Sequence, residues 1–354
     1  MREFLEEWRP ASDEEIAEWI PRTIDAAYLE SLFGPPTYRY DPDGIQSALA
    51  DPIWDLLDRG GKRWRAVLVL NFVEAFGEEP DRYLPYAVVP EILHNGTIVV
   101  DDVEDEAKMR RGEPAVHHRH GQDVALNAGN AMYFLPLKIL THGPLDLPAD
   151  RRLAAYEMLT DELNRTHLGQ GMDIYWHNEP ERRVGRDEFL ELCACKTGCL
   201  ARIAARLPAI LTDQPAEVET AVAEYAELTA VAFQIGDDIL DVEHSLGRAG
   251  EFGKAFGNDI REGKTTLLVI HAVAESDPET ADRLREILAD ESNTDAELRE
   301  ALDILETAGS IEHARERALE LAAEARGRLA GLDLEPEPAR RLAEFTEFVV
   351  QRRT

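Results

Sequence analysis

Residues 91–112 read EILHNGTIVVDDVEDEAKMRRG. The stretch places Asp101, Asp102 and Asp105 at positions i, i+1 and i+4, and it ends in Arg110, Arg111 and a glycine. On a helix, Asp101 and Asp105 lie one turn apart on one face, with Asp102 alongside. Like charges at that spacing destabilise a helix, so the cluster requires a cation between its carboxylates. The arginine pair that follows suggests a cation that arrives with phosphates.

The composition around this stretch is that of a helical protein. Alanine, leucine, glutamate and arginine dominate, and alternating β-branched runs hardly occur, which favours helices over strands. The 354 residues, 44% of them apolar, suffice for a large core. No apolar run approaches the roughly 18 residues that span a bilayer, and the polar start MREFLEEWRP lacks the pattern of a signal peptide. The expectation is a soluble, cytoplasmic protein with no transmembrane segment. A net charge of −32 argues against nucleic acid as a partner, since no basic stripe offsets the field. The basic residues are skewed as well, six lysines against thirty-two arginines. Strong acidity with few lysines resembles the proteins of salt-in halophiles, haloarchaea in particular. Cys193, Cys195 and Cys199 fall close together with no fourth ligand at metal spacing, and they read as reduced packing residues.

Where a chain avoids lysine, each survivor needs a reason. Lys62 lies in Gly60-Gly61-Lys62-Arg63-Trp64-Arg65, ahead of an apolar helix from Ala66 to Phe76. Flexible backbone, a helix N-terminus and side-chain cations there converge on an anion site. His94 lies two turns before Asp101 on the same face, and reads either as a donor to an anion or as a structural histidine. Apolar helices are expected over Asn127–Leu140, Leu153–Trp176 and Phe189–Leu207. Gln170 and Asp173 in the second are read as either support for a site or structure. The third carries Lys196-Thr197-Gly198, and a lysine in an apolar helix needs a counter-charge. Residues 233–241, FQIGDDILD, repeat the aspartate spacing with Asp237, Asp238 and Asp241. Lys254 and Lys264 follow in Gly253-Lys254 and Glu262-Gly263-Lys264-Thr265-Thr266, and 276–354 reads as three or so amphipathic helices. One Asp-Asp-x-x-Asp is a weak signal in so acidic a chain. Two copies, both using a poorer helix former than glutamate, are not. Hard oxygen ligands in small number suit Mg²⁺, which substrate phosphates usually complete. Such a site stabilises the charge that develops on a leaving diphosphate.

As an ordered set, GGKRWR, HNGTIVVDDVED with RRG, GQGMD, KTG, FQIGDDILD, and GK, GND and EGKTT resemble the trans-isoprenyl diphosphate synthases, the polyprenyl synthetase family, in its haloarchaeal geranylgeranyl type. The resemblance implies an all-α fold of about ten or more helices around a deep apolar cavity, in a homodimer. Residues 1–44 are then N-terminal helices and a connector packed on a synthase domain spanning 45–354. The implied reaction is Mg²⁺-dependent head-to-tail condensation of an allylic diphosphate with isopentenyl diphosphate. Three ions are implied with substrate bound, held by Asp101, Asp102 and Asp105 and by Asp237, Asp238 and Asp241. Arg110, Lys196, Lys254 and Lys264 are implied to hold the allylic diphosphate, with Thr197 and Gln234 at its reacting end. Lys62, Arg65, His94 and Arg111 are implied to bind isopentenyl diphosphate. Trp64 and Ala66 depart from the family's common Leu and Pro, and Gly129-Asn130 stands where Gly-Asp is frequent; neither removes an implied ligand. Gly96 and Thr97, five and four residues before Asp101, occupy the positions where bulky aromatics floor the family's elongation cavity. Small residues there imply an open cavity and a C20 or longer product, unless Met132, Tyr133 or Phe134 form the floor. A class I terpene cyclase shares the first motif but mixes Asn, Ser or Thr with Glu in the second. A non-catalytic subunit usually loses one motif or the basic clamp, and neither is missing here.

Overall fold

The computed structural model describes residues 1–179, 182–248, 256–290 and 292–351. Among them the architecture is all-α, and its one sheet is a two-residue ladder, Met109–Arg110 antiparallel to Glu113–Pro114. The chain divides into two compact units.

The first unit comprises Met1–Thr160, Ile203–Glu219 and Asp333–Ala339. Its N-terminal helix, Arg2–Trp19, buries Phe4 and Ile16 and packs on the apolar helix Trp64–Ala75. Asp25 caps the next helix, Ala26–Phe33, by accepting from the Tyr28 N–H. That helix stops at Gly34, whose φ of 82° only glycine adopts without strain. Two helices carry the aspartate end of this unit, Val89–Glu104 and Gln122–Phe134, and they cross at glycines. A Cβ on Gly96 would lie 2.8 Å from the Met132 Cβ and 2.9 Å from the Gly129 carbonyl oxygen. One on Gly129 would lie 2.8 Å from Val100 Cγ2. The backbones therefore approach more closely than any side chain permits.

The second unit comprises Asp161–Arg202, Thr220–Leu332 and Arg340–Thr354. Its core gathers Phe189, Ile235, Ile239, Leu268, Leu284, Leu302 and Leu321. These come from the helices Arg186–Cys193, Ala216–Ser245, Leu267–Glu275, Pro278–Ala289, Asp295–Thr307 and Ser310–Leu329. The segment expected as one helix over Phe189–Leu207 is two helices joined through a π turn at Ala194–Gly198. Among the described residues the charged stretch from 276 onward forms four helices where the pattern suggests three or so, ending with Pro336–Gln351. A buried Arg202 joins three helices of this core. Its Nε donates to Glu162 at 2.8 Å and its Nη2 to the Cys199 sulfur at 2.9 Å, while Nη1 pairs with Glu227. Cys193, Cys195 and Cys199 are free and buried, and burial raises all three thiols above their ordinary range, as inert packing residues require.

Candidate active site

In the first unit the helix Val89–Glu104 delivers its aspartates at its C-terminal end. Asp101 is half-buried and Asp102 is 1% exposed. Asp105 caps the helix, its N–H donating to the Asp101 carbonyl at 2.8 Å. The trio thus sits where the helix dipole is negative, which compounds its repulsion. Arg110 supplies the local answer: its Nε donates to Asp102 Oδ1 at 2.8 Å, and its Nη2 pairs with the same oxygen. Asp102 Oδ2 is buried with no hydrogen-bond partner among the described residues. Burial raises the Asp102 pKa and Arg110 opposes that shift.

Next to it lies a concentration of positive charge. Arg63 and Arg65 are 4% and 5% exposed, although such residues are seldom buried unpaired. Arg63 reaches Asp13 on the N-terminal helix at 2.6 Å and the Leu57 carbonyl at 3.2 Å. Arg65 stacks its guanidinium 4.3 Å from the Trp64 ring centre, and Glu91 accepts its backbone N–H at 2.8 Å. Burial lowers its pKa to about 10. Arg111 is likewise lowered to about 10, by burial and then by Arg63. Arg111 bonds the Gly60 carbonyl and, at 3.2 Å, Asn95 Oδ1. His94 is half-buried, and its pKa falls well below the usual imidazole range through burial and the charges of Arg65 and Arg111. Lys62 is exposed at the edge of this group. The sequence-expected Lys62, Arg65, His94, Arg110 and Arg111 thus belong to one unit with the first trio. Arg63, one of the three cations of the 60–65 anion site, belongs to the same set, and Asn95 joins it unannounced through Arg111, 16 residues further along the chain.

Gly96 does not border open space, because Met132 and the Gly129 backbone fill it. Thr97 is half-buried, its hydroxyl donating to the His94 carbonyl at 2.8 Å. Of the alternative floor residues, Met132 and Tyr133 are buried and Phe134 is exposed.

In the second unit, Lys196 and Thr197 stand on the π turn, a geometry that recurs at functional positions. The counter-charge that Lys196 needs is Asp173, at 2.6 Å. Gly169 brings the Asp173 helix close: a Cβ there would lie 2.7 Å from the Lys196 backbone nitrogen. Thr197 donates to Gln234 Oε1 at 3.2 Å, and Gln234 Nε2 donates to Asp238 Oδ1 at 3.0 Å. That chain orients the Gln234 amide and braces the middle aspartate of the second trio, as Arg110 braces Asp102 in the first. Asp237 is half-buried, and Asp241 is buried with the Asp259 N–H donating to its Oδ1 at 3.3 Å. Lys264 pairs with Glu262 and lies 3.8 Å from Asp259. Lys254 falls outside the described residues.

Among the described residues no three His, Cys, Asp or Glu side chains gather tightly enough to hold a metal ion by themselves. The donors present fit Mg²⁺ bound in the manner of phosphate sites, through one or two carboxylates plus substrate oxygens. All are hard oxygens, and the buried, unpartnered Asp102 Oδ2 carries a desolvation cost that a cation would relieve. No helix among the described residues is long and apolar enough to cross a membrane.

The polyprenyl synthetase family model matches residues 46–305. A geranylgeranyl pyrophosphate synthase of Geoglobus acetivorans is 34% identical over 313 residues, covering 88% of this chain and 92% of that one. A geranylfarnesyl diphosphate synthase of Natronomonas pharaonis is 33% identical over 315 residues, covering 84% and 88%. Among solved structures, the geranylgeranyl pyrophosphate synthetase of Pyrococcus horikoshii superposes with a TM-score of 0.83 at 28% identity, covering 98% of this chain and 97% of that one. With two aspartate trios, each held beside its own cations, and with relatives alike over nearly their whole length, the chain belongs to the polyprenyl synthetase family of prenyltransferases.

Proposed function

We propose that the protein condenses an allylic diphosphate with isopentenyl diphosphate to give an all-trans prenyl diphosphate of C20 or longer. The observation that carries this reading is the pairing, within each unit, of an aspartate trio with a braced middle member and a cationic set beside it. Arg110, Lys196, Lys254 and Lys264 hold the allylic diphosphate, and Lys62, Arg65, His94 and Arg111 hold isopentenyl diphosphate. Asp101, Asp102, Asp105, Asp237, Asp238 and Asp241 hold Mg²⁺. When bound, Mg²⁺ neutralises charge on the departing diphosphate. The allylic C–O bond breaks with its electron pair leaving on the diphosphate, the isopentenyl double bond attacks the cation, and a proton passes to the diphosphate. Gln234 and Thr197, oriented by their own hydrogen bonds, present fixed dipoles to the developing charge without reorganising.

The chain-length reading rests on Thr97, since Gly96 is committed to helix packing. The geranylgeranyl and geranylfarnesyl synthases among the relatives favour C20 or C25. We infer a homodimer and salt-adapted operation as well, the latter from the charge of −32 and the six lysines. Labelled isopentenyl diphosphate, offered with dimethylallyl, geranyl or farnesyl diphosphate and Mg²⁺ in molar KCl, tests the reading. Prenyl diphosphates of C20 or more are expected. Absence of incorporation overturns the activity, and farnesyl diphosphate as the sole end product overturns the chain length. Light scattering in the same buffer tests the dimer.

A further inference from the structure

The Arg110–Arg111 pair stands on a structure that has to be held in place. The ladder pairs Met109 with Pro114 and Arg110 with Glu113, which leaves Arg111 and Gly112 as the two turn residues. Both have positive φ, 52° and 78°, the sign pattern of a type I′ hairpin turn. Arginine is a poor choice for the first position, and a left-handed non-glycine residue persists only where its surroundings over-determine it. A restraint from outside the turn comes from Arg59, whose side chain is 5% exposed. Its Nη1 donates to the Arg110 carbonyl at 3.0 Å. Its Nη2 and Nε grip Asp55, donating to Oδ2 and to the backbone carbonyl, each at 3.0 Å. Asp55 is the hub of the group. Arg119 donates to its Oδ1 at 2.7 Å, and His120 Nε2 lies 3.1 Å from its Oδ2. Burial pushes the Asp55 carboxyl up, but hydrogen bonds from Arg59 and Arg119 outweigh it and leave the group below its ordinary value. Asp55 is thus charged at neutral pH and fixes Arg59 in one orientation. The guanidinium fork matters: its three nitrogens reach a carboxylate and two carbonyls in one fixed planar geometry, which the single nitrogen of an ammonium does not reproduce.

We propose that Arg59, locked by Asp55, is a positioning residue that sets the Arg110–Arg111 turn, and with it the affinity for both diphosphate substrates, without touching either. The inference rests on the reading that this turn binds diphosphate, and the test separates the two. Arg59→Met, Arg59→Lys and Arg111→Gln are compared with the unaltered chain in steady-state kinetics, in calorimetric binding of inorganic pyrophosphate, and in thermal unfolding. Arg59→Met is expected to raise KM for both substrates about tenfold, as for misplaced binding groups, with kcat within about threefold and Tm nearly unchanged. Pyrophosphate affinity should fall in parallel, and Arg59→Lys should lie between. If Arg111→Gln weakens pyrophosphate and neither Arg59 variant does, the positioning role is overturned while the reading stands. A lowered Tm with unchanged KM also overturns it, because Arg59 is then only a staple. If Arg111→Gln leaves pyrophosphate binding and both KM values untouched, the reading of the turn fails, and the proposal with it. Should Arg59→Met fail to fold, Arg59→Lys, which keeps charge and most of the stem, decides the same question.

Discussion

At the scale of single residues, charge in this protein is placed against an unfavourable background and then braced. Asp101 and Asp105 crowd the negative end of a helix dipole, and Arg63, Arg65 and Arg111 crowd one another. Each arrangement makes sense once opposite charge arrives with a ligand. Asp101→Ala and Asp237→Ala are therefore each expected to lower prenyl transfer about 10²–10³-fold, the scale of losing one electrostatic stabiliser; labelled isopentenyl diphosphate incorporation measures it. His94 permits a pH prediction. Burial and its arginine neighbours depress its pKa well below the ordinary imidazole value, so near pH 6 the unfolded chain binds the proton that the folded chain refuses. The contribution is complete above about pH 6.5 and is lost as pH falls through the depressed value. Replacing His94 with Gln, which cannot ionise, should flatten the decline of Tm between pH 7 and pH 5. These residues were legible in the sequence because charges at fixed spacing, and lysines in a chain that avoids them, stand out without any knowledge of the fold. Asp55 and Arg59 were not, and Asp173 was legible only as one of two open readings, because each acquires its meaning from a partner far along the chain. Arg59 meets Arg110 across 51 positions, and Lys196 meets Asp173 across 23.

At the scale of elements, periodicity revealed the helices and could not reveal why they cross where they do. Gly96 illustrates the limit. Read along the chain it is a small residue ahead of an aspartate cluster; in the fold it faces Gly129 and Met132 on the next helix. Gly96→Ala should destabilise the chain by about 1–3 kcal/mol, the usual cost of overpacking, as denaturant midpoints in high salt will register. The π turn was equally hidden: Lys196-Thr197-Gly198 breaks the apolar spacing there, but an α-helix and a π turn differ by one residue in hydrogen-bond span, which side-chain type does not report. Beyond that turn, Arg202 pairs with the buried Glu162. Arg202→Met should cost about 3–5 kcal/mol by removing the cationic partner of a buried carboxylate. Adding Glu162→Gln should restore part of that loss, and a double-mutant cycle by chemical unfolding measures the coupling.

At the scale of the whole molecule, the acidity sets the conditions under which everything else operates. A net charge of −32 repels itself at low ionic strength, and salt screens that repulsion. Tm is therefore expected to rise steadily from about 0.1 M to molar KCl, where the Debye length shrinks from roughly 10 Å to 3 Å. Insensitivity of Tm to salt over that range would remove the inference of salt adaptation. The cationic group of Arg63, Arg65, Arg110 and Arg111 works against this field, and under the proposed function it would draw anionic substrate toward a molecule that otherwise repels it. The crossing of Gly96 and Gly129 has a consequence for how such a molecule can change over generations. Because a side chain at either position meets the other helix, a change at either one carries a cost in packing. If Thr97 sets product length, as proposed, a lineage changes that length at less cost there than at Gly96, where even a methyl meets the Met132 Cβ and the Gly129 carbonyl oxygen. One close approach of two backbones thus makes every route through position 96 costly in stability, whatever it does for the product.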